Sequence, residues 1–201
     1  MFRVSLAALI VVAATAAKAD SFPPDARRLI DAGLIEQIDT WMDSEVVRLS
    51  VRSQNERYGK LTQAEIDALD EQWKSEREVA DKPLIAATLS SPLSVYLTRM
   101  QGQSAGLFVE IFVMDDKGLN VGQSSITSDF WQGDEAKFQK TFPQGPEAIF
   151  IDEPEWDENL KIWRAQVNKT LAEADQNTSL GAVTVEVNLT ELARRKLAVA
   201  Q

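Results

Sequence analysis

The chain has no cysteine and no histidine, and only 2 tyrosines among 201 residues. Without cysteine there is no disulfide, no thiolate-held zinc or iron–sulfur cluster and no cysteine nucleophile. Without histidine, the usual serine triad, most catalytic zinc sites and the ordinary proton switch near neutral pH fall away. Positive charge is also short, with 21 Lys+Arg against 31 Asp+Glu and a net charge of −10, which argues against non-specific nucleic-acid binding. No phosphate-binding, dinucleotide-binding, nucleophile-elbow or zincin motif is present. The expectation is therefore no catalytic residue, no metal, no cofactor and no nucleic-acid partner. A chain of this length, 44% hydrophobic, can bury ~70% of its unfolded surface in one domain without staples.

Residues 1–19 read as a secretory signal peptide: Arg3 supplies the positive start, Val4 to Ala17 is uncharged and largely apolar, and Ala17-Lys18-Ala19 fits the cleavage rule. That run is shorter than the ~20 residues a membrane helix needs. No later segment is apolar enough to span a bilayer. The expected product is residues 20–201 as a single domain, periplasmic, with its net charge moved to −12 by the loss of Arg3 and Lys18. Sequons at Asn168, Asn177 and Asn188 would matter only in a eukaryotic secretory route.

The first half has helical spacing and the second half strand spacing. Leu29, Ile30, Leu34, Ile38, Trp41, Met42 and Leu49 recur in steps of three and four, predicting one long helix over about 25–51. Thr62-Gln63-Ala64-Glu65 is a capping box ahead of Ile66, Leu69 and Trp73. Pro83 and then Ser91-Pro92 open two shorter helices. After Gly106 the period becomes 2. Leu107–Met114 is apolar on both faces except at Glu110, and Asp115-Asp116-Lys117-Gly118 turns it into Leu119–Ser124. Further strands are expected at 148–151, 160–171 and 180–187, with a short helix near 134–140 and a terminal helix from Asn188 lined by Leu189, Leu192 and Leu197. The fold class is α+β: a long N-terminal helix on a five-stranded antiparallel sheet.

Paired acids such as Asp115-Asp116, Asp129, Asp134-Glu135 and Asp152-Glu153 are of the type that serves glycoside hydrolysis, and equally of the type that decorates turns. Asp152, Glu153, Glu155, Asp157 and Glu158 form an oxygen-rich run interrupted by Pro154 and Trp156, without the central glycine of a calcium loop. The densest segment is Thr127–Glu135, where Trp131 can lie over a small ligand with Asp129 or Gln132 fixing its polar end. Alternatively Phe130 and Trp131 plug the core beneath a long loop. Lys137 and Lys140 either meet an anion or are surface charges. Arg164 shares a strand face with Ile162 and Gln166, and is either an edge-strand residue or a carboxylate clamp. Tyr96 and Arg99 share a helix face that either closes a pocket or packs and faces water.

Phe112–Ser124, the stretch Ser128-Asp129-Phe130-Trp131-Gln132-Gly133-Asp134-Glu135 running on to Phe142, and the closing Ser179–Val187 together resemble the Cache domains. These are the PAS-like (PDC) extracellular sensor modules of bacterial chemoreceptors and histidine kinases, and the resemblance covers about residues 25–190. It implies a sheet with the long helix on one face and a small-molecule pocket on the other, under the Trp loop. It implies ligands of the amino-acid, small-carboxylate or amine class, with Asp129, Trp131 and Arg164 in the pocket and Tyr96 behind them. A usual member continues through a membrane helix into a signalling domain, whereas this sequence stops at Gln201. The expectation is a free-standing exported sensor acting with a membrane histidine kinase or chemoreceptor. Two rival readings stand beside it: an interaction module that forms a homodimer through the 25–51 helix without a ligand, and a two-carboxylate hydrolase of exported glycans.

Overall fold

A computed structural model describes residues 23–175 and 177–199. The expected signal peptide lies outside the described residues. The helices are α1 (Ala26–Leu29), α2 (Ala32–Met42), α3 (Glu45–Tyr58), α4 (Gln63–Glu78), α5 (Pro83–Leu89), α6 (Pro92–Gln103), α7 (Ala136–Gln139) and α8 (Leu189–Val199). The strands are β1 (Phe108–Met114), β2 (Asn120–Gln123), β3 (Ile149–Ile151), β4 (Glu155–Asp157), β5 (Ile162–Ala172) and β6 (Ser179–Asn188). The sheet runs β2-β1-β6-β5-β3, antiparallel throughout, with β4 also paired to β5.

The α+β class and the order of helices before strands are as expected. The long helix over 25–51 is corrected: it is three pieces. Asp31 caps α2 by accepting from Leu34 N at 3.1 Å, and Ser44, in extended conformation, opens α3. Polar residues that compete for helix N–H groups start new helices here. The apolar spacing carries across both breaks, and that continuity hid them. The bend lets Ile38, Trp41 and Met42 of α2 and Val47 and Val51 of α3 all reach the same core. The sheet also gains β4, whose Trp156 stands opposite Trp163 with ring centroids 5.6 Å apart.

Strand alternation divides the sheet into two unlike faces. Ile111 and Val113 of β1, Ala165 and Val167 of β5, and Val183, Val185 and Val187 of β6 pack beneath α2, α3, α6 and α8. Burying each of the valines and the isoleucine contributes roughly 1.5–3 kcal/mol. The opposite face is mixed. Phe112, Met114 and Ala182 meet Phe138 of α7 and Phe142, while Glu110, Arg164, Gln166 and Glu186 occupy the rest. At the C-terminus Asn188 Oδ1 accepts from Glu191 N at 2.9 Å, and Leu189 and Leu192 are buried. Leu197, expected on the same side, is exposed two turns further on.

A separate cluster of Ile66, Trp73, Ile85, Leu119 and Phe130 joins α4 and α5 to the β1–β2 hairpin. Trp73 stacks on Phe130 at 5.2 Å and donates its indole N–H to Thr127 O at 3.0 Å. Glu76, buried at the end of α4, accepts from the α5 amides of Leu84 (3.1 Å) and Ile85 (2.9 Å), capping α5 from a neighbouring helix. Trp73→Ala removes the stacked ring and the indole bond together and should cost about 3–5 kcal/mol in urea unfolding. Leu49→Ala, at a side chain 54% exposed, should cost under ~0.5 kcal/mol, and equal costs would contradict this packing.

Candidate functional site

The mixed face of the sheet carries a cleft. Two adjoining hollows of about 250 and 280 Å³ share Lys137, Glu155, Arg164, Gln166 and Glu186. The floor is β1, β6 and β5. One wall is the 126–132 loop with α7, and the other is the 152–155 segment leading into β4. The cleft lies on the side of the sheet away from α2, α3, α6 and α8 because Glu110, Phe112, Glu186, Arg164 and Gln166 alternate with the buried valines and isoleucine of the same strands.

Arg164 sits on an interior strand and is paired with the chain's own carboxylates. Its Nη1 donates to Glu186 Oε2 at 3.0 Å and lies 3.6 Å from Asp157 Oδ2, and its Nη2 is 3.8 Å from Glu155 Oε2. Glu186 is 6% exposed, and burial pushes its carboxyl above the ordinary range; Arg164 pulls it down and Glu110 pushes it up. Lys137 reaches in from α7, with Nζ 3.1 Å from Gln132 Oε1, 2.9 Å from Glu135 Oε2 and 5.4 Å from the Phe112 ring centre. The arrangement can hold a small polar molecule by hydrogen bonds and charge over an aromatic floor.

Of the residues singled out in the sequence, Arg164, Gln132 and Lys137 line this cleft, with Glu135, Asp152, Glu153 and Glu155 among the acids. Gln132 is almost fully buried and donates its amide to Asp129 O at 2.9 Å while accepting from Lys137. Trp131 and Asp129 do not line it. Trp131 donates its indole N–H to Lys117 O at 2.8 Å and packs beside Phe130 and Leu119. Asp129 Oδ1 faces Lys74 Nζ at 3.4 Å. Asp70 of α4 accepts from the amides of Phe130 (2.8 Å) and Trp131 (3.0 Å), so the loop is pinned toward α4 rather than laid over the cleft. Tyr96 belongs to the helical side, where its hydroxyl donates to Trp41 O at 2.8 Å, and Arg99 is exposed on α6.

Glu110, Phe112, Gln166 and Glu186 were not singled out. For Glu110 and Glu186 the signal was an acid inside an otherwise uncharged strand, Leu107–Met114 and Val183–Val187 respectively. The acidic run 152–158 forms one cleft wall and the β4–β5 turn, where Asp157 accepts from the amides of Asn159 and Leu160. Among the described residues, no group of three or more acids is placed to hold a metal ion.

The hairpin beside the cleft depends on a second buried acid. Asp115, with no solvent exposure, accepts from Lys117 N and Leu119 N at 2.9 Å each and from Gln54 Nε2 at 2.9 Å. Gly118 closes the turn at φ 83°, and a Cβ there would stand 2.7 Å from Gly133.

No protein-family model matches the chain, and no curated protein matches it. Among solved structures it is similar to the sensory domain of the Campylobacter jejuni chemoreceptor Tlp3, at 16% identity over 83% of this chain and 64% of that one, TM-score 0.38. It is similar to the ligand-binding domain of the Pseudomonas aeruginosa amino-acid chemoreceptor PctC in complex with GABA, at 13% identity over 80% and 62%, TM-score 0.36. It is likewise similar to the sensor domain of the V. cholerae histidine kinase DctB, at 14% identity over 75% and 59%, TM-score 0.37. The chain thus spans less than two thirds of the length of these solved domains. No helix among the described residues is long and apolar enough to cross a membrane.

The shifted carboxyls predict a pH profile. Glu186 and Asp115 are both raised, chiefly by burial, so the folded state binds protons above the ordinary carboxylate value of about 4 where the unfolded chain does not. Their contribution grows as pH falls from neutral toward about 5. Carboxyls held low act in the other direction. Glu191, drawn to about 2 by Arg194 and Arg195, and Asp31, lowered by Lys196, stabilise above the ordinary value and lose that effect below it. The urea midpoint should therefore be higher near pH 5 than at pH 7.5 and fall again toward pH 3, with a smaller rise in Glu186→Gln. A steady decline from pH 7.5 downward would contradict it.

Proposed function

We propose that the protein is a sensory ligand-binding module of Cache type, and that the cleft over β1, β6 and β5 is where it takes a small polar metabolite. The observation that carries this reading is the concentration of Arg164, Glu186, Gln166, Lys137 and Gln132 around one hollow. The remainder of that sheet face is closed by Phe138 and Phe142. A face that only had to pack against α7 would carry apolar residues at these strand positions, as the helix-covered face does. Export to the periplasm and a membrane histidine kinase or chemoreceptor as partner complete the proposal. The expected signal peptide and the sequence resemblance support both.

Thermal-shift screening of the purified protein against amino acids, small carboxylates and amines tests it. A ligand at a hundred times its Kd adds about 2.7 kcal/mol, a shift of roughly 5–10 °C for a chain of this size. The side chain of Gln166 makes no hydrogen bond among the described residues and lines both hollows, so Gln166→Ala should reduce the ligand-induced shift while leaving the unliganded melting temperature nearly unchanged. A ligand-induced shift that Gln166→Ala does not alter places binding elsewhere. No shift with any compound, together with a dimer in light scattering across a dilution series, favours the interaction module. Hydrolysis of aryl glycosides that is lost in Glu186→Gln puts the carboxyls to catalytic use and overturns the binding reading.

A further inference from the structure

Glu110 on β1 and Glu186 on β6 are partners in register across neighbouring strands, and both line the cleft. Like charges directly opposite each other on one face of a sheet repel. Glu110 Oε1 accepts from the Ser125 hydroxyl and Glu186 Oε2 accepts from Arg164, which leaves one oxygen of each carboxylate without a protein partner among the described residues. Glu186 is more than nine-tenths buried at the cleft floor.

The cations nearby are already engaged. Arg164 is divided among Glu186, Asp157 and Glu155, and Lys137 is held by Glu135 and Gln132. Around the whole cleft the acids are Glu110, Glu135, Asp152, Glu153, Glu155 and Glu186, against Lys137 and Arg164 alone. Phe112, two residues along β1 from Glu110, turns its ring to the same space and already faces one ammonium, that of Lys137 at 5.4 Å.

We propose that the Glu110–Glu186 pair is an ammonium subsite, and that the cleft selects a small primary amine over carboxylates and amino acids. The inference rests on the cleft being the ligand site. A primary ammonium carries three N–H donors, enough to bridge the two free carboxylate oxygens and keep one donor for a neighbouring carbonyl or hydroxyl oxygen. It supplies the positive charge that this floor lacks. A carboxylate would enter against six acids with both cations committed, and an amino acid would bring the same repulsion with its ammonium. A divalent cation needs six to eight oxygens, and no group of three or more acids among the described residues is placed to provide them.

Affinity for the amine should fall on acidification. Protonation of Glu186, which faces Glu110, Arg164 and Glu155 and whose carboxyl already sits high through burial, removes the charge the ammonium needs.

The test is calorimetric titration of the full chain at pH 7.5 with three probes of equal carbon number: butylamine, butyrate and 2-aminobutyrate. Butylamine should bind tightest, Glu110→Gln and Glu186→Gln should each weaken it at least tenfold, and its affinity should drop between pH 7.5 and pH 5. Glu110→Gln without ligand should melt at or above the wild-type temperature, because the substitution removes a like-charge contact. Butyrate or 2-aminobutyrate binding more tightly than butylamine, with loss in Gln166→Ala, overturns the ammonium subsite and leaves the cleft as the ligand site. Amine binding unchanged in both glutamine variants also overturns it. So does stabilisation by calcium chloride alone that disappears in the same variants. No binding by any probe or by the wider panel counts against both the subsite and the cleft.

Discussion

The register of β6 between β1 and β5 is the constraint on which both halves of this structure depend. Val183, Val185 and Val187 point under the helices because Ala182, Thr184 and Glu186 point the other way. A slip of one residue would exchange the two sets, putting three valines into the cleft and a glutamate into the apolar core. The same pairing sets Glu186 opposite Glu110 on one side and Gln166 on the other. Core stability and cleft chemistry are therefore fixed by one set of backbone hydrogen bonds. The cost of burying charge on the polar face is carried by the apolar face of the same strands.

A second layer of constraint comes from α4. Asp70, Trp73 and Glu76 stand three residues apart along one helix face, and each binds a different neighbour: the amides of Phe130 and Trp131, the carbonyl of Thr127, and the first amides of α5. An acid buried this way is stable only while its acceptors are filled. Asp70 has two amides and Lys74 at 2.7 Å, and Glu76 has two amides and the Gln72 side chain. The loop from Thr127 to Gln132 is thus held at several points by α4 and closed onto the hairpin by Gln132 N donating to Gly118 O at 2.8 Å. A segment anchored so densely forms a rigid wall of the cleft.

Much of this was readable in the residues. The two faces of β5 and β6, the central position of β1, the capping box at Thr62 and the proline-started α5 and α6 follow from spacing and local chemistry. The breaks at Asp31 and Ser44 were less visible because an apolar face can continue in phase through a bend. The side to which Trp131 and Asp129 turn was not readable. It is decided by Asp70 and Lys74, some sixty residues earlier, and no local pattern carries that information. Arg164 shows the intermediate case. Its strand face was legible, but whether it met water or carboxylates depended on Glu186 being paired alongside and β4 being folded back beside it.

Charge placement links composition to the cleft. An excess of ten acids over bases spread evenly over a surface would be largely screened beyond a Debye length of about 8–10 Å. Glu186 is not in that situation. Burial raises the cost of its charge, Arg164 offsets part of that cost, and Glu110 across the strand pair adds to it. Replacing Glu186 by an apolar residue would relieve the repulsion and strand Arg164 beside two weaker partners, Asp157 and Glu155. The triad of Glu110, Glu186 and Arg164 is one positive charge short of balance. Its imbalance is concentrated where the sheet face opens to the outside, at a depth where solvent screens it least.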